Sequence, residues 1–183
     1  KEKDTQVTVT ARPLKDRIYT ANWKENSYTI VFNVEGEVTR GEMKNIPLRY
    51  TQETTIPENG YVCGGYKFVG WRTGGKKSEQ KVYQPGDKVS GLCATNNGTV
   101  NLYPIWEPCE YTITFDYQTG NKREKVTCKY KETYTLPTVN RLGWTFEGWS
   151  RSAGSTNVIS YAPNVKTAVF EDEKDFTLYA VYK

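Results

Sequence analysis

The sequence has no histidine in its 183 residues, and this absence narrows the chemistry that the protein can perform. Histidine is the most common general base, so Ser-His-Asp and Cys-His arrangements are excluded. The phosphate-binding pattern G-x-x-x-x-G-K-[ST] is also missing. Composition alone does not exclude a pair of catalytic carboxylates like that of glycoside hydrolases. We therefore expect a protein that is not an enzyme and needs no cofactor.

Long apolar runs are absent as well, so we expect no insertion into a membrane by this segment. The opening residues "KEKDTQ" do not resemble a secretory leader, and we interpret the chain as a fragment whose targeting signals lie elsewhere. The net charge of +4 arises from 25 basic and 21 acidic residues that are interspersed. Because no basic stripe with interleaved aromatics occurs, we expect no binding of nucleic acid.

Leucine, alanine and methionine are scarce, whereas tyrosine, threonine and valine are frequent. There are 14 Tyr and 5 Trp but a single Met. Aromatic and β-branched side chains suit a pleated, half-buried surface, and no long amphipathic stretch with helix caps is visible. This composition predicts a mostly β fold.

Four blocks of sequence occur twice in the same order, which indicates an internal duplication. The pairs are "YTIVFN" (28–33) with "YTITFD" (111–116), "RYTQETTIP" (49–57) with "KYKETYTLP" (129–137), "GYKFVGW" (65–71) with "GWTFEGW" (143–149), and "VNLYPIW" (100–106) with "FTLYAVY" (176–182). The offset between copies falls from 83 to 76 residues, and the differences lie between blocks, where loops accept insertions.

The duplication predicts two modules, the first at 28–107 and the second at 108–183. A partial third copy precedes them, because "RIYTANW" (17–23) aligns on Trp23 with the block that ends at Trp106. We interpret residues 1–27 as the tail of an upstream repeat, containing its last strand.

Each block is expected to form a strand, which gives two small, mostly antiparallel sheets of four strands. In "YTITFD" the apolar residues alternate with polar ones, as expected for a strand with one buried face. A four-stranded sheet cannot cover that face unaided, so we expect the long connection before the last strand to contain a short covering helix.

Aromatic residues that recur in both modules are expected to pack the core, since each copy must solve the same packing problem. The predicted structural core is Phe68, Gly70, Trp71, Trp106, Phe146, Gly148 and Trp149. Phe146 and Trp149 are three apart and would face opposite sides of a regular strand. A bulge at the intervening glycine would turn the Trp inward. Tyrosines without a counterpart are candidates for an exposed binding surface: Tyr83, Tyr117, Tyr134 and Tyr161.

The pattern YTITF, then Y-x(6)-P, then G-(aromatic)-x-F-x-G-W, then LYAVY resembles the Listeria–Bacteroides repeat, the B-repeat of internalin-type bacterial surface proteins. The resemblance covers both modules and the partial copy. It implies a β-grasp, ubiquitin-like fold of the α+β type, in tandem arrays outside the cell. The sequence departs from the family in a longer loop in the first module, in Tyr182 where Trp is usual, and in its cysteines.

The four cysteines lie at positions that are not equivalent between modules, so each module has its own pair. Of three possible connectivities we expect disulfides within modules, Cys63–Cys93 and Cys109–Cys128, in an oxidising compartment. A hairpin turn at 117–120 would place Cys109 opposite Cys128, within about two residues of register. For Cys63–Cys93, the parallel strands implied by the resemblance would bring both to one end of the sheet. Free buried thiols are an alternative, and zinc is disfavoured without histidine or C-x-x-C.

Taken together, these features predict non-catalytic, extracellular repeat modules that serve as a semi-rigid stalk and as an adhesion or interaction segment. The expected partners are neighbouring repeats and a host protein or glycan. The alternatives are a specific binder of glycan, mucin or host protein, and an accessory domain of a secreted enzyme. The acidic run "FEDEKDF" (170–176) is expected to lie in a solvated loop, with a weak calcium site as the alternative, since the D-x-D-x-D-G spacing is missing.

Overall fold

The computed structural model describes residues 20–155 and 160–183, and nearly all regular structure in this part of the chain is β-strand. The first module has β1 (Ser27–Phe32), β2 (Val38–Arg40), β3 (Ile46–Arg49), β4 (Thr54–Thr55), β5 (Val62–Cys63), β6 (Tyr66–Thr73), β7 (Val82–Tyr83), β8 (Lys88–Val89) and β9 (Gly98–Pro108). The second has β10 (Glu110–Asp116), β11 (Arg123–Lys129), β12 (Thr133–Thr135), β13 (Phe146–Ser150), β14 (Thr167–Val169) and β15 (Phe176–Tyr182). The expected mostly β fold is confirmed.

Each module is built on one main sheet in which the first and last strands are neighbours. The strand order is β3-β1-β9-β6-β7 in the first module and β11-β10-β15-β13 in the second. β1 and β9 run parallel, as do β10 and β15, and every other pair in these sheets is antiparallel. The second sheet has the four strands expected, whereas β7, in the longer connection of the first module, adds a fifth.

The alternation in the sequence determines which face of each sheet is buried. In β10, Tyr111, Ile113 and Phe115 are at most 4 % exposed, while Thr112 and Thr114 on the other face are half-buried. Burial of large apolar side chains on one face is the main favourable contribution to the stability of such a sheet.

The apolar faces are covered by extended chain rather than by the helix we expected. Among the described residues the only helical element is one 3-10 turn, Lys77–Glu79, which buries no side chain. Small two-stranded ribbons, β4 with β8 and β12 with β14, lie over the faces instead. They and their flanks contribute Ile56 and Val89 to one core and Leu136 and Phe170 to the other. Short β-ribbons satisfy their backbone hydrogen bonds while they cover the sheet.

The bulge predicted at the recurring glycine is confirmed in both modules. The register of β13 against β15 shifts between Phe146 and Gly148, so one extra residue is accommodated before Trp149. Gly148 has a φ of 129°, which side-chain-bearing residues rarely adopt. The extra residue lets Phe146 and Trp149 meet in a T-shaped contact with centroids 5.6 Å apart. The same shift occurs between Phe68 and Gly70.

The expected upstream strand at 17–23 lies largely outside the described residues, which begin at residue 20. Residues 20–26 contain no strand, and Trp23 is 84 % exposed. Its counterpart Trp106 pairs with Phe68 of the neighbouring strand β6, in a T-shaped contact of 5.7 Å. Trp23 has no such neighbouring strand among the described residues.

Replacing Gly148 by alanine should lower the free energy of unfolding by about 1–3 kcal/mol, because alanine is strained at this φ and would displace the bulge that places Trp149. The matched control is Gly120→Ala, at a φ of 61° with open space around the added methyl group. Denaturant unfolding and near-ultraviolet circular dichroism measure the two effects. Only Gly148→Ala should alter the tryptophan spectrum, and identical spectra for the two variants would contradict this role of the bulge.

Candidate functional site

The connection between the two modules is the most constrained feature outside the cores. The inner strands β9 and β10 follow each other with only Cys109 between them. The Cys109 amide donates to the carbonyl oxygen of Gly65 at 2.8 Å, and its carbonyl accepts from the Tyr130 amide at 2.9 Å. This single connecting residue is therefore bonded to the first module on one side and to the second on the other.

An aromatic side chain of the second module packs on the turn between β5 and β6 of the first. Gly65 has a φ of 73° and is buried, and a methyl group added there would overlap the ring of Tyr130. The same ring meets Tyr66 in a T-shaped contact with centroids 5.3 Å apart. Glycine is thus required at position 65 both for its backbone conformation and for the close approach of Tyr130.

An ion pair extends this contact. Lys131 Nζ lies 2.5 Å from Glu37 Oε2 and 5.6 Å from the centroid of the Tyr130 ring. The hydrogen bond that Lys131 donates to Glu37 raises the pKa of Lys131 above its usual value. Since both side chains are partly exposed, the pair contributes little to the stability of the contact. We name Glu37, Gly65, Tyr66, Cys109, Tyr130 and Lys131 together the junction.

Sequence reasoning missed the junction, although two signals for it were available. Tyr130 recurs as Tyr50, and Gly65 recurs as Gly143 within the duplicated blocks. What could not be seen is that the block "KYKETYTLP" (129–137), which we expected to form one strand, is divided between the end of β11 and β12. It breaks at Tyr130 and Lys131, where Lys131 adopts a φ of 59°, and β12 then leaves the main sheet to pair with β14. The break is what projects Tyr130 toward the first module.

The predicted disulfide between Cys63 and Cys93 is wrong, since all four cysteines are free thiols. The prediction assumed parallel strands, but β6 and β9 are antiparallel. Cys63 therefore lies beside the end of β9 at Pro108, whereas Cys93 lies at its start against Gly98. At about 3.3 Å per residue the two ends of β9 are roughly 33 Å apart, far beyond the reach of a disulfide.

The predicted disulfide between Cys109 and Cys128 is wrong because of the strand register. Tyr111 faces Cys128, so the pairing is displaced by two residues from the one we expected. Cys109 instead bonds through its backbone to Tyr130, and the Cys128 side chain is buried in the second core. Burial raises the pKa of the Cys63 and Cys128 thiols, which lowers their reactivity at neutral pH.

The recurring aromatics lie in or against the two cores. Trp71 and Trp149 are 0 % and 1 % exposed, and Phe68, Trp106 and Phe146 pack against the same clusters while partly buried. Trp149 Nε1 donates to the carbonyl oxygen of Pro137 at 3.2 Å, which connects the main sheet to its cover.

The four tyrosines predicted to form an exposed binding surface do not form one. Tyr117 is buried, packs on Trp149 at 5.6 Å and donates to Glu124 at 2.6 Å. Burial raises the pKa of Tyr117. Tyr83, Tyr134 and Tyr161 are half-buried and pack against the cores. For Tyr117 the predicted exposure is wrong, because its side chain fills a gap beside Trp149. Tyr83 and Tyr161 are in fact counterparts, since each faces the recurring tryptophan of its module, Trp71 and Trp149.

The acidic run near residue 172 is paired with cationic and amide groups. Arg151 binds Asp172 through both guanidinium nitrogens at 2.7 Å and lies 4.1 Å from the centroid of the Phe176 ring. The hydrogen bonds that Arg151 donates to Asp172 raise the pKa of Arg151. Asp175 accepts from the Thr112 amide at 2.7 Å. Within residues 20–155 and 160–183 no group of three or more His, Cys, Asp or Glu is arranged to hold a metal ion.

In a comparison with known proteins, each of the two modules separately matches the same family model. A family model described as the Listeria-Bacteroides repeat domain matches residues 28–103 and 111–181. Two relatives come from Evansella cellulosilytica, each 26 % identical. One, named "Putative Gly-rich membrane protein", aligns over 73 % of this chain and 15 % of its own length. The other, named "Putative membrane protein", aligns over 87 % of this chain and 22 % of its own length. The chain therefore spans less than a quarter of either relative.

The described part of this chain has no helix that is both long and apolar enough to cross a membrane.

Alanine at Gly65 should loosen the junction. Both Gly65→Ala and its control Gly143→Ala place a side chain at nearly the same φ, 73° and 77°, at a cost of about 1–2 kcal/mol. Only at Gly65 does the methyl group also meet Tyr130, which should add about 1–3 kcal/mol. Nitrogen-15 relaxation should show the modules tumbling separately in Gly65→Ala alone. Joint tumbling in both variants would contradict the junction.

The four thiols should all be alkylated when the chain is denatured without a reductant. In the native chain Cys93 and Cys109 should react before Cys63 and Cys128, because the latter two are buried and their raised pKa values reduce the thiolate fraction. Peptide mass spectrometry with timed iodoacetamide gives the order, with a reduced sample as the control. Any cysteine that reacts only after reduction would reinstate a disulfide.

Proposed function

The chain belongs to the Listeria-Bacteroides repeat family, and we propose that its two repeats form a semi-rigid, non-catalytic stalk and interaction segment of a bacterial surface protein, outside the cell. The observation that carries this proposal is the junction, in which one residue connects two inner strands and is bonded on both sides. The relatives named as membrane proteins are much longer than this chain, which fits a segment within a larger protein.

The direction of the strands also suits a part that bears load. In each module the chain enters on one strand and leaves on its parallel neighbour, β1 with β9 and β10 with β15. When the ends of a module are pulled apart, these neighbours are sheared along their length. All hydrogen bonds between the two parallel strands then share the force, instead of breaking one at a time. Rigidity in this proposal comes from the ladders and the junction, not from the disulfides we had expected.

We assign the modules to the β-grasp class as part of the same proposal. Parallel first and last strands at the centre of a sheet, flanked by antiparallel strands, support this assignment. The β-ribbons that cover the sheets replace the helix that the class usually places there.

Specific binding of a host protein or glycan is less favoured, since Tyr117 is buried and Tyr83, Tyr134 and Tyr161 are half-buried against the cores. Neighbouring repeats are the partners that the proposal favours. Catalysis is not part of it, because the chain has no histidine to serve as a general base.

Force spectroscopy on the whole chain tests the stalk. Pulling through the two termini should give two unfolding events, each lengthening the chain by about 250 Å. The control applies force between Lys122, at the tip of the β10–β11 hairpin, and the C terminus. Both points lie at the same end of the second sheet, so that pull should unzip the strands at a severalfold lower force. Equal, low forces in both geometries would contradict a load-bearing function.

A further inference from the structure

The second module carries the same surface with which the first module receives Tyr130, but leaves it uncovered. The duplicated blocks align Gly64, Gly65 and Tyr66 with Leu142, Gly143 and Trp144. The two turns share their backbone conformation, with φ values of 73° at Gly65 and 77° at Gly143. We name residues 142–144 the socket.

Exposure differs sharply between the two turns. Gly65 is buried under the ring of Tyr130, whereas no described atom would lie within 4 Å of a methyl group on Gly143. Leu142 is 100 % exposed and Trp144 is 51 % exposed. Two large apolar side chains at an uncovered turn are unusual on a soluble surface, and the first module shows what covers such a turn.

The first module carries the turn that aligns with Tyr130 and Lys131, although Thr51 does not have the positive φ of Lys131. Tyr50 aligns with Tyr130, is 39 % exposed, and its amide donates to the carbonyl oxygen of Asn26 at 2.9 Å. Asn26 occupies the position of Cys109, so this bond repeats the one between Tyr130 and Cys109. The Thr51 amide also donates to Glu25 at 2.6 Å, which holds the turn in place. We name Tyr50 and Thr51 the plug.

The charges on the plug are compatible with those around the socket. The junction pairs Lys131 with Glu37. The plug has Thr51 in place of Lys131, and the hairpin tip of the second module at 118–121 has no carboxylate to pair with a lysine. A plug that resembles Tyr50–Thr51 would thus bring no lysine that lacks a carboxylate, and its uncharged residues would not repel Arg141, whose guanidinium lies 4.6 Å from the centroid of the Trp144 ring.

We propose that the socket is the docking surface for the plug of a further repeat of this kind, joined in the same chain after the second module. The plug tyrosine packs edge-on against Trp144, as Tyr130 does against Tyr66. Successive modules then meet through one repeated contact, so that each repeat adds to the stalk at a fixed angle. This inference rests on the proposed function as a chain of repeats.

A tandem protein tests the docking. Residues 1–183 are followed directly by residues 25–183 of a second copy, so that Lys183 and Glu25 stand where Glu107 and Pro108 stand in the natural connection. A Thr145→Ser substitution in the second copy distinguishes its peptides by mass. Hydroxyl-radical footprinting then measures the oxidation of Trp144 in each copy, and the second copy serves as the undocked reference within the same molecule.

Trp144 of the first copy should be oxidised severalfold more slowly than Trp144 of the second copy. Tyr50→Ala in the second copy should remove the difference, while Tyr50→Phe, which keeps the ring, should preserve it. Equal oxidation of the two tryptophans in the tandem would overturn the proposal. The oxidation of Trp144 is also measured in the single chain of 183 residues at increasing protein concentration. If oxidation slows as the concentration rises, the socket binds a second molecule, and this would overturn docking within one chain. Neither result depends on the unfolding forces that test the stalk.

Discussion

The packing of one tryptophan in each module, made possible by a glycine bulge, is the constraint on which the rest of the structure depends. Trp149 meets Phe115 at 4.9 Å on the main sheet and donates to Pro137 in the cover. Without the extra residue at Gly148 it would point to the opposite face of the strand. The bulge therefore fixes how the cover is attached to the sheet in the second module. The first module repeats the bulge and the buried tryptophan with Gly70 and Trp71, but Trp71 Nε1 has no hydrogen-bond partner among the described residues.

From this core follows the arrangement of strands that makes a stalk possible. The first and last strands of each module meet at the centre of the sheet, so the chain passes from β9 to β10 through Cys109 alone. A connection this short is rigid only if its neighbours pack against it. The turn at Tyr130 and Lys131 provides that packing, and it exists because β12 leaves the main sheet to cover the core. The cover and the junction thus both result from the turn at Tyr130 and Lys131, which separates β11 from β12.

Much of the fold could be predicted from the sequence because its signals are local and occur twice. The alternation in "YTITFD" predicted β10 and its buried face, and the recurring G-x-x-F-x-G-W pattern predicted the bulge. The family membership followed from the same blocks. The failures concern features that only distant parts of the chain decide. Tyr117 was taken for a surface residue because it has no counterpart, yet it fills a gap beside Trp149 that no sequence pattern reveals.

The cysteines show most clearly where the sequence stops being sufficient. By itself the sequence determined the duplication, most strands of the two main sheets, their recurring core aromatics and the absence of histidine. Only the tertiary structure decided that Cys63 and Cys93 lie at opposite ends of β9, and that Tyr111 rather than Cys109 faces Cys128. It also decided that Gly65 is covered while Gly143 is open. The physical reason is that composition and alternation are properties of one strand, whereas strand direction, register and contact between modules are set by pairing energies summed over residues far apart in the chain.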